Sequence, residues 1–241
     1  MDETTVRRLV ALNEAFYARF AAPFAASRVA PQPGYERLLA YAPRAGGRVL
    51  DVGCGEGRFR RFLRAQGIDV DYTGVDFAPA LLALGDASGH LVQRDLSRPD
   101  SLADLGRFNL IVCLSTLQHI PGGDNRARLV AEMGARLLPG ARLVLANWQF
   151  MGSQRQRRKI QPWPAAGLAA SDVEPGDYLL SWQRGGVGLR YVALVDEEAT
   201  RRLAAGAGLD VVAQFRSDGR EGDLNLYTIL APGFSKVAYS A

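Results

Sequence analysis

The sequence is poor in residues that carry much of protein chemistry. Its 241 residues contain two cysteines, Cys54 and Cys113, and two histidines, His90 and His119. One cysteine lies in a glycine loop and the other in an apolar run, so neither a disulfide framework nor a metal site is expected, and both thiols should be reduced. Lysine is confined to Lys159 and Lys236, which leaves no lysine-containing phosphate loop. No run of about 18 apolar residues occurs, and the N-terminus MDETTVRRLVALNEAF carries acids and arginines through its apolar stripe; a membrane span and a signal peptide are therefore not expected, and a cytoplasmic location is. Nor is any Pro/Gly/Ser-rich or charged stretch long enough to separate independent domains, so one domain with additions is expected over 1–241.

What is present is the composition of an ordinary globular chain, 48% hydrophobic and 22% charged. Basic residues outnumber acidic ones by 29 to 25, for a net charge of +4. Almost all of that positive charge is arginine, which permits a polyanionic partner without requiring one.

Periodicity supplies the organisation. Residues 4–22 form a helical prelude, with Val6, Leu9, Val10, Phe16, Tyr17 and Phe20 on one face, Asn13 interrupting the stripe, and Pro23 kinking or ending the helix. From Arg48, apolar runs alternate with helical segments: RVLDVG, GRFRRFLRAQG, DYTGVD, PALLALGD, HLVQRD, SLADLG and FNLIVCL. A helix over Asn125–Leu138 and a strand over ARLVLANW follow. Such βα repeats predict a doubly wound, mostly parallel α/β sheet of seven strands, a Rossmann-like fold, closed by an antiparallel hairpin of LDVVAQF and LNLYTIL after a helix at Asp196–Ala207. The expected divisions are a prelude at 1–45, a cofactor-binding core at 46–150, an insertion over the substrate side at 151–190, and the C-terminal helix and hairpin at 191–241.

The strongest local pattern is VLDVGCGEG, a strand carrying Asp51 followed by Gly53, Gly55 and Gly57 at every second position. Glycines let a backbone turn sharply and approach a ligand without Cβ clashes. Asp76, some twenty residues on, ends the next strand and is placed to accept from two ribose hydroxyls, and Asp95 ends the strand after it; ligands of open α/β sheets bind beyond those carboxyl ends. A dinucleotide fold would show G-x-G-x-x-G and would not set a carboxylate, Asp51, at the mouth of the loop, where it repels pyrophosphate. The same carboxylate suits an ammonium group such as the methionine end of S-adenosylmethionine (SAM). A dehydrogenase and a non-catalytic SAM-binding module are the rival readings.

This run resembles the class I SAM-dependent methyltransferases over residues 46–150. The resemblance implies that Asp51, Gly53 and Gly55 line the methionine end, with Cys54 and Gly57 in the same loop. It also implies that Asp76 holds the ribose, Phe77 flanks the adenine, Asp95 and Leu96 meet the adenine edge, and Leu114 and Ser115 face the transferred methyl. The flanks are similar to the eukaryotic tRNA methyltransferases that esterify a carboxymethyl group on wobble uridine. The match is carried by Tyr17, Ala21, Phe24 and Arg28 in FYARFAAPFAASR, by His119 in LSTLQHI, by PGDYLLSW, and by Arg190 and Tyr191. Gln118 and Ala193 stand where that family has histidine. The resemblance implies Tyr17 in the cofactor set and methyl transfer to oxygen, a carboxylate included, on tRNA; a small-molecule acceptor is the alternative. Arg28 is expected to pair with the SAM carboxylate. His119, just after the fourth strand, is expected to orient or deprotonate the acceptor. Arg155, Arg157, Arg158, Trp182 and Tyr191 are the expected acceptor-binding residues, the arginines tracking phosphates and the aromatics walling a pocket.

Overall fold

A computed structural model describes residues 1–85 and 89–233. The chain opens with α1 (Glu3–Ala26), capped by the Asp2 carboxylate, and α2 (Gly34–Leu38). The elements of the sheet then follow: β1 (Arg48–Val52), α3 (Arg58–Ala65), β2 (Asp71–Asp76), α4 (Pro79–Leu82), β3 (His90–Gln93), β4 (Phe108–Leu114), α5 (Gly123–Ala135) and β5 (Leu137–Trp148). Next come α6 (Gln154–Arg157), β6 (Ile160–Gln161), β7 (Asp177–Trp182) and β8 (Gly188–Ala193), then α7 (Glu197–Gly206), β9 (Leu209–Ser217) and β10 (Asn225–Pro232).

Seven strands form one sheet in the order β3-β2-β1-β4-β5-β10-β9, with β10 antiparallel to both neighbours and the other pairs parallel. The doubly wound sheet with its closing hairpin is thus the observed fold. Side chains alternate across it, as the two-residue repeat of a strand demands. Leu50, Val52, Ile111, Cys113, Leu143 and Leu145 pack on one face, and Val49, Leu110, Val112, Val144 and Ala146 on the other. Both faces are buried, which is why these strands read as continuous apolar runs. The strand order reverses between β1 and β4, and a crevice opens beyond their carboxyl ends, where Asp51, Asp76 and Ser115 lie.

Of the two outcomes expected at Pro23, the structure has the kink: α1 opens at Phe20 (φ −114°, ψ 16°) and continues to Ala26, because the missing N–H and the ring of a proline disturb the turn before it. Two expectations change. SLADLG is a set of turns, not a helix; with Leu102 fully buried, one anchored turn is enough to carry the chain from β3 to β4. The helix expected to Leu138 stops at Ala135, and Leu137 already pairs with Phe108 in β5. The end of the helix expected over PALLALGD, at Asp86, lies outside the described residues.

The segment after β5 builds a second, antiparallel sheet, β6-β7-β8. β8 continues through residue 190 to Ala193 and packs against α1. Asn13 makes that join: its Oδ1 accepts from Tyr191 N at 2.8 Å and its Nδ2 donates to the carbonyls of Tyr191 and His119, both at 3.3 Å. The polar break in the stripe of α1 thus satisfies backbone groups of β8 and of the loop after β4. Among the described residues, no helix is long and apolar enough to cross a membrane.

Candidate functional site

The glycine loop is built around one close approach. Gly53 has φ +80°, and a Cβ there would lie 2.0 Å from the Thr116 hydroxyl, so only glycine allows the β1 turn and the β4 turn to touch. The amides of Gly53 and Cys54 both donate to the Val75 carbonyl, at 2.7 and 3.0 Å. Gly55, at φ +55°, then turns its N–H onto Asp76 Oδ2 at 2.8 Å, while Asp76 Oδ1 accepts from Ala78 N at 2.9 Å. Asp76 is thereby fixed by backbone donors, and burial pushes its carboxyl up to about 6.

Asp51 is 2% exposed and accepts from the Tyr72 hydroxyl at 2.7 Å. Burial, with Asp76 and Glu56 adding like charge, pushes it up to about 7. Asp95 is held differently, by Ser97 N at 3.0 Å, Ser97 Oγ at 2.5 Å and Arg98 Nε at 3.0 Å. Burial pushes the Cys54 thiol up, so this cysteine is a small apolar wall and not a nucleophile.

These groups line one cleft of about 1070 Å³, some of it open to solvent. Tyr17, Arg28, Asp51, Gly53, Cys54, Gly55, Asp76, Phe77, Asp95, Leu96, Leu114, Ser115 and His119 all face it. Gly57 stands behind the wall, where its φ of +74° starts α3. Sequence reasoning missed Gln32, Tyr35, Arg58, Thr116 and Trp148, which also line the cleft. Gln32 and Tyr35 come from a proline-flanked segment that reads as a mere connection, and no local pattern places them.

The acceptor set does not gather in the same way. Arg155, Arg157 and Arg158 are exposed and outside the lining, with Arg157 Nη1 donating to the Met151 carbonyl at 2.6 Å. Tyr191 is fully buried, not a pocket wall: its hydroxyl donates to Asp177 Oδ1 at 2.7 Å and accepts from Arg126 Nη1 at 2.9 Å. Trp182 packs its ring 5.8 Å from Phe16 and 5.9 Å from Phe24, next to the cleft but outside its lining.

At the head of the cleft, His119 is 8% exposed. Its Nδ1 lies 3.0 Å from the Tyr191 carbonyl, which can only accept, so the proton sits on Nδ1. Nε2 faces the Tyr17 hydroxyl at 3.3 Å as an acceptor. Burial, then repulsion from Arg190, push this imidazole down to about 3, and it stays neutral at physiological pH. Trp148 meets His119 edge-on and donates from Nε1 to Ser115 Oγ at 3.2 Å. Ser115 itself holds φ +59°, an uncommon conformation for a residue with a Cβ, at the tip of β4.

SAM fits this donor set. Asp51 and Asp76 are buried carboxylates with hydroxyl and amide donors but no cationic partner among the described residues, which suits an ammonium and a ribose diol. Arg28 is the complement. It lines the cleft, its guanidinium lies 3.5 Å over the Phe24 ring, and among the described residues it bonds only to the Phe24 carbonyl and Ser27 Oγ and meets no acid. Burial pushes it down to about 10, still charged at neutral pH, so it suits the SAM carboxylate.

The comparisons agree with this geometry. The ubiquinone biosynthesis O-methyltransferase of Xanthomonas oryzae pv. oryzae is 36% identical over 110 residues, 43% of this chain and 44% of that protein; the chain thus spans less than half the length of the curated relative it matches. A SAM-dependent methyltransferase of Clostridium acetobutylicum superposes with a TM-score of 0.63 at 13% identity, covering 92% of this chain and 98% of that one. SAM-bound CalS10, an amino pentose methyltransferase of Micromonospora echinaspora, does so with a TM-score of 0.56 at 21% identity, covering 90% and 95%. These two structures share the fold. The family described as Methyltransferase domain matches residues 24–214, and this chain belongs to it.

Proposed function

We propose that the protein transfers the methyl group of SAM to a hydroxyl oxygen of a small organic acceptor, breaking the sulfonium–methyl bond to leave S-adenosylhomocysteine and releasing the hydroxyl proton to solvent. The observation that carries this reading is the head of the cleft, where Ser115, His119, Trp148 and Tyr17 converge beyond the cofactor-holding acids. That space is walled by aromatic rings and suits one small molecule. The relatives named as O-methyltransferases support the same reading. When bound, SAM supplies an electrophilic methyl on a sulfonium. The chain supplies position: Asp51, Asp76 and Arg28 fix the donor, and the neutral His119, whose Nε2 accepts from the Tyr17 hydroxyl, fixes that phenol at the head of the cleft, where its oxygen orients an acceptor hydroxyl. Holding the two partners in line is the larger contribution, worth roughly 7 to 11 kcal/mol at best. An imidazole held this far below its usual range is a hydrogen-bond acceptor first and a proton store hardly at all.

The tRNA reading draws on the flanking matches and the arginine run. Against it stands the placement of those residues: Tyr17 and Arg28 line the same cleft as Asp51 and Asp76, Phe24 packs on both, and Arg155, Arg157 and Arg158 are exposed and outside the lining. Incubation with methyl-labelled SAM and a fractionated cell extract separates the two. Label should enter the small-molecule fraction, and label confined to RNA would overturn the proposal. Calorimetry should show SAM binding at micromolar levels and no binding of NAD.

A further inference from the structure

Beside the head of the cleft lies a buried cation with no counter-charge. Arg190, on β8, is 5% exposed, and its guanidinium carbon lies 4.5 Å from the Trp148 ring centroid, 5.3 Å from that of Phe16 and 5.5 Å from that of Trp182. Nε and Nη1 meet no acceptor among the described residues. No carboxylate among the described residues pairs with it, and its polar neighbour is the Tyr17 hydroxyl. The charged groups around it share its sign: Arg28 and Lys159 both feel its repulsion, and Arg155 and Arg184 add to that at Lys159. Arginine does not shed its proton in proteins, and aromatic faces offset only a fraction of the cost of burying it.

The charges therefore do not balance within the site. Arg28, partly buried, and Arg190, buried, both act on Tyr17 as positive charges, and SAM, on the reading above, brings one carboxylate. The second anion has to come with the acceptor. Trp148 links the two places, because the ring that stacks on Arg190 also lines the cleft and bonds Ser115. We propose that Arg190 anchors a carboxylate on the acceptor, so that the substrate is a small aromatic acid bearing a separate hydroxyl as the methylated group. A carboxylate engaged by a guanidinium has its lone pairs committed to hydrogen bonds, so it serves as a handle and not as the nucleophile. Aromatic character follows from Trp148, which lines the cleft and favours a flat ring by stacking and edge contacts, with Phe16 and Trp182 outside the lining but around the Arg190 guanidinium.

The inference rests on the proposed methyl transfer for its second anion, and its test is read without turnover. Benzoate and its neutral counterpart benzamide are titrated by calorimetry into the wild-type protein, alone and saturated with S-adenosylhomocysteine. Benzoate should bind at least about tenfold more tightly than benzamide. Arg190→Met should bring benzoate down to the level of benzamide while leaving SAM affinity unchanged, and Arg190→Lys should keep some of the preference. Equal or undetectable binding of the two probes to the wild type, or an undiminished preference in Arg190→Met, would overturn the anchor. Tighter binding of phenyl phosphate than of benzoate would overturn the carboxylate assignment. If Arg190→Met does not fold, the wild-type comparison and Arg190→Lys still decide. Failure of the wild type to bind SAM sinks the methyltransferase reading alone, since the benzoate preference is also read on the unliganded protein.

Discussion

Asp51 carries the clearest consequence of a single buried charge. Its carboxyl is raised from the ordinary range to about 7 by desolvation, so between roughly pH 4 and 7 the folded chain holds a proton there that the unfolded chain has released. Its effect on stability is therefore nil in acid and becomes more unfavourable as pH rises through that window, then constant above it. An ammonium group placed against the carboxylate reverses the preference for the neutral form. Between pH 8 and pH 6, SAM affinity is expected to weaken by about tenfold, as ionised Asp51 becomes the minor form. Calorimetric titrations at the two pH values check this, and Asp51→Asn should bind weakly with a flatter profile. A slope undiminished in Asp51→Asn would place the linkage elsewhere. The neutral imidazole of His119 gives a second expectation at this scale. Because the group is held near 3, the pH–rate profile should show no limb near 6.5 attributable to it, while His119→Ala lowers kcat by roughly 10- to 100-fold through lost orientation.

At the scale of elements, α1 closes the molecule over the accessory sheet, and Asn13 is the fastening. Asn13→Ala removes the acceptor for the buried Tyr191 N–H and the donor to two carbonyls. Leaving such groups unmet costs about 2–3 kcal/mol, which denaturant unfolding would read directly. The same change frees the carbonyls that position His119, so kcat should fall further than the loss of stability explains. Much of the central sheet was legible because a strand's chemistry is local. Gly53 announces a left-handed turn, and Asp51 and Asp76 mark strand ends. The accessory sheet was not legible, since β6 has two residues and its pairing with β7 joins positions about twenty apart through turns. Tyr191 was misplaced for the same reason: an aromatic in an insertion reads alike whether it walls a pocket or satisfies Asp177 and Arg126. Arg190 announces itself only through the absence of an acid, which no spacing in the sequence displays.

For the whole molecule, the cleft depends on a contact between the segment after α1 and the hairpin β9-β10. Asp218, after β9, is 2% exposed and accepts from Gly34 N at 2.8 Å, Asn225 Nδ2 at 2.6 Å and the Tyr227 hydroxyl at 2.6 Å. Gly34 sits so close to the Tyr227 ring that a Cβ there would lie 2.4 Å from it. This clasp fixes the segment that carries Gln32 and Tyr35 into the cleft wall. Asp218→Ala strands one amide, one side-chain amide and one phenol at once, and a loss of about 3 kcal/mol is expected, less than three separate penalties because the segment can relax toward water. SAM affinity should weaken several-fold, since the N-terminal wall then has to be ordered by the ligand. Saturating SAM should return some of the lost melting temperature by mass action. A variant that loses stability yet binds SAM as tightly as the wild type would show that the 32–35 segment closes the fold without holding the cofactor.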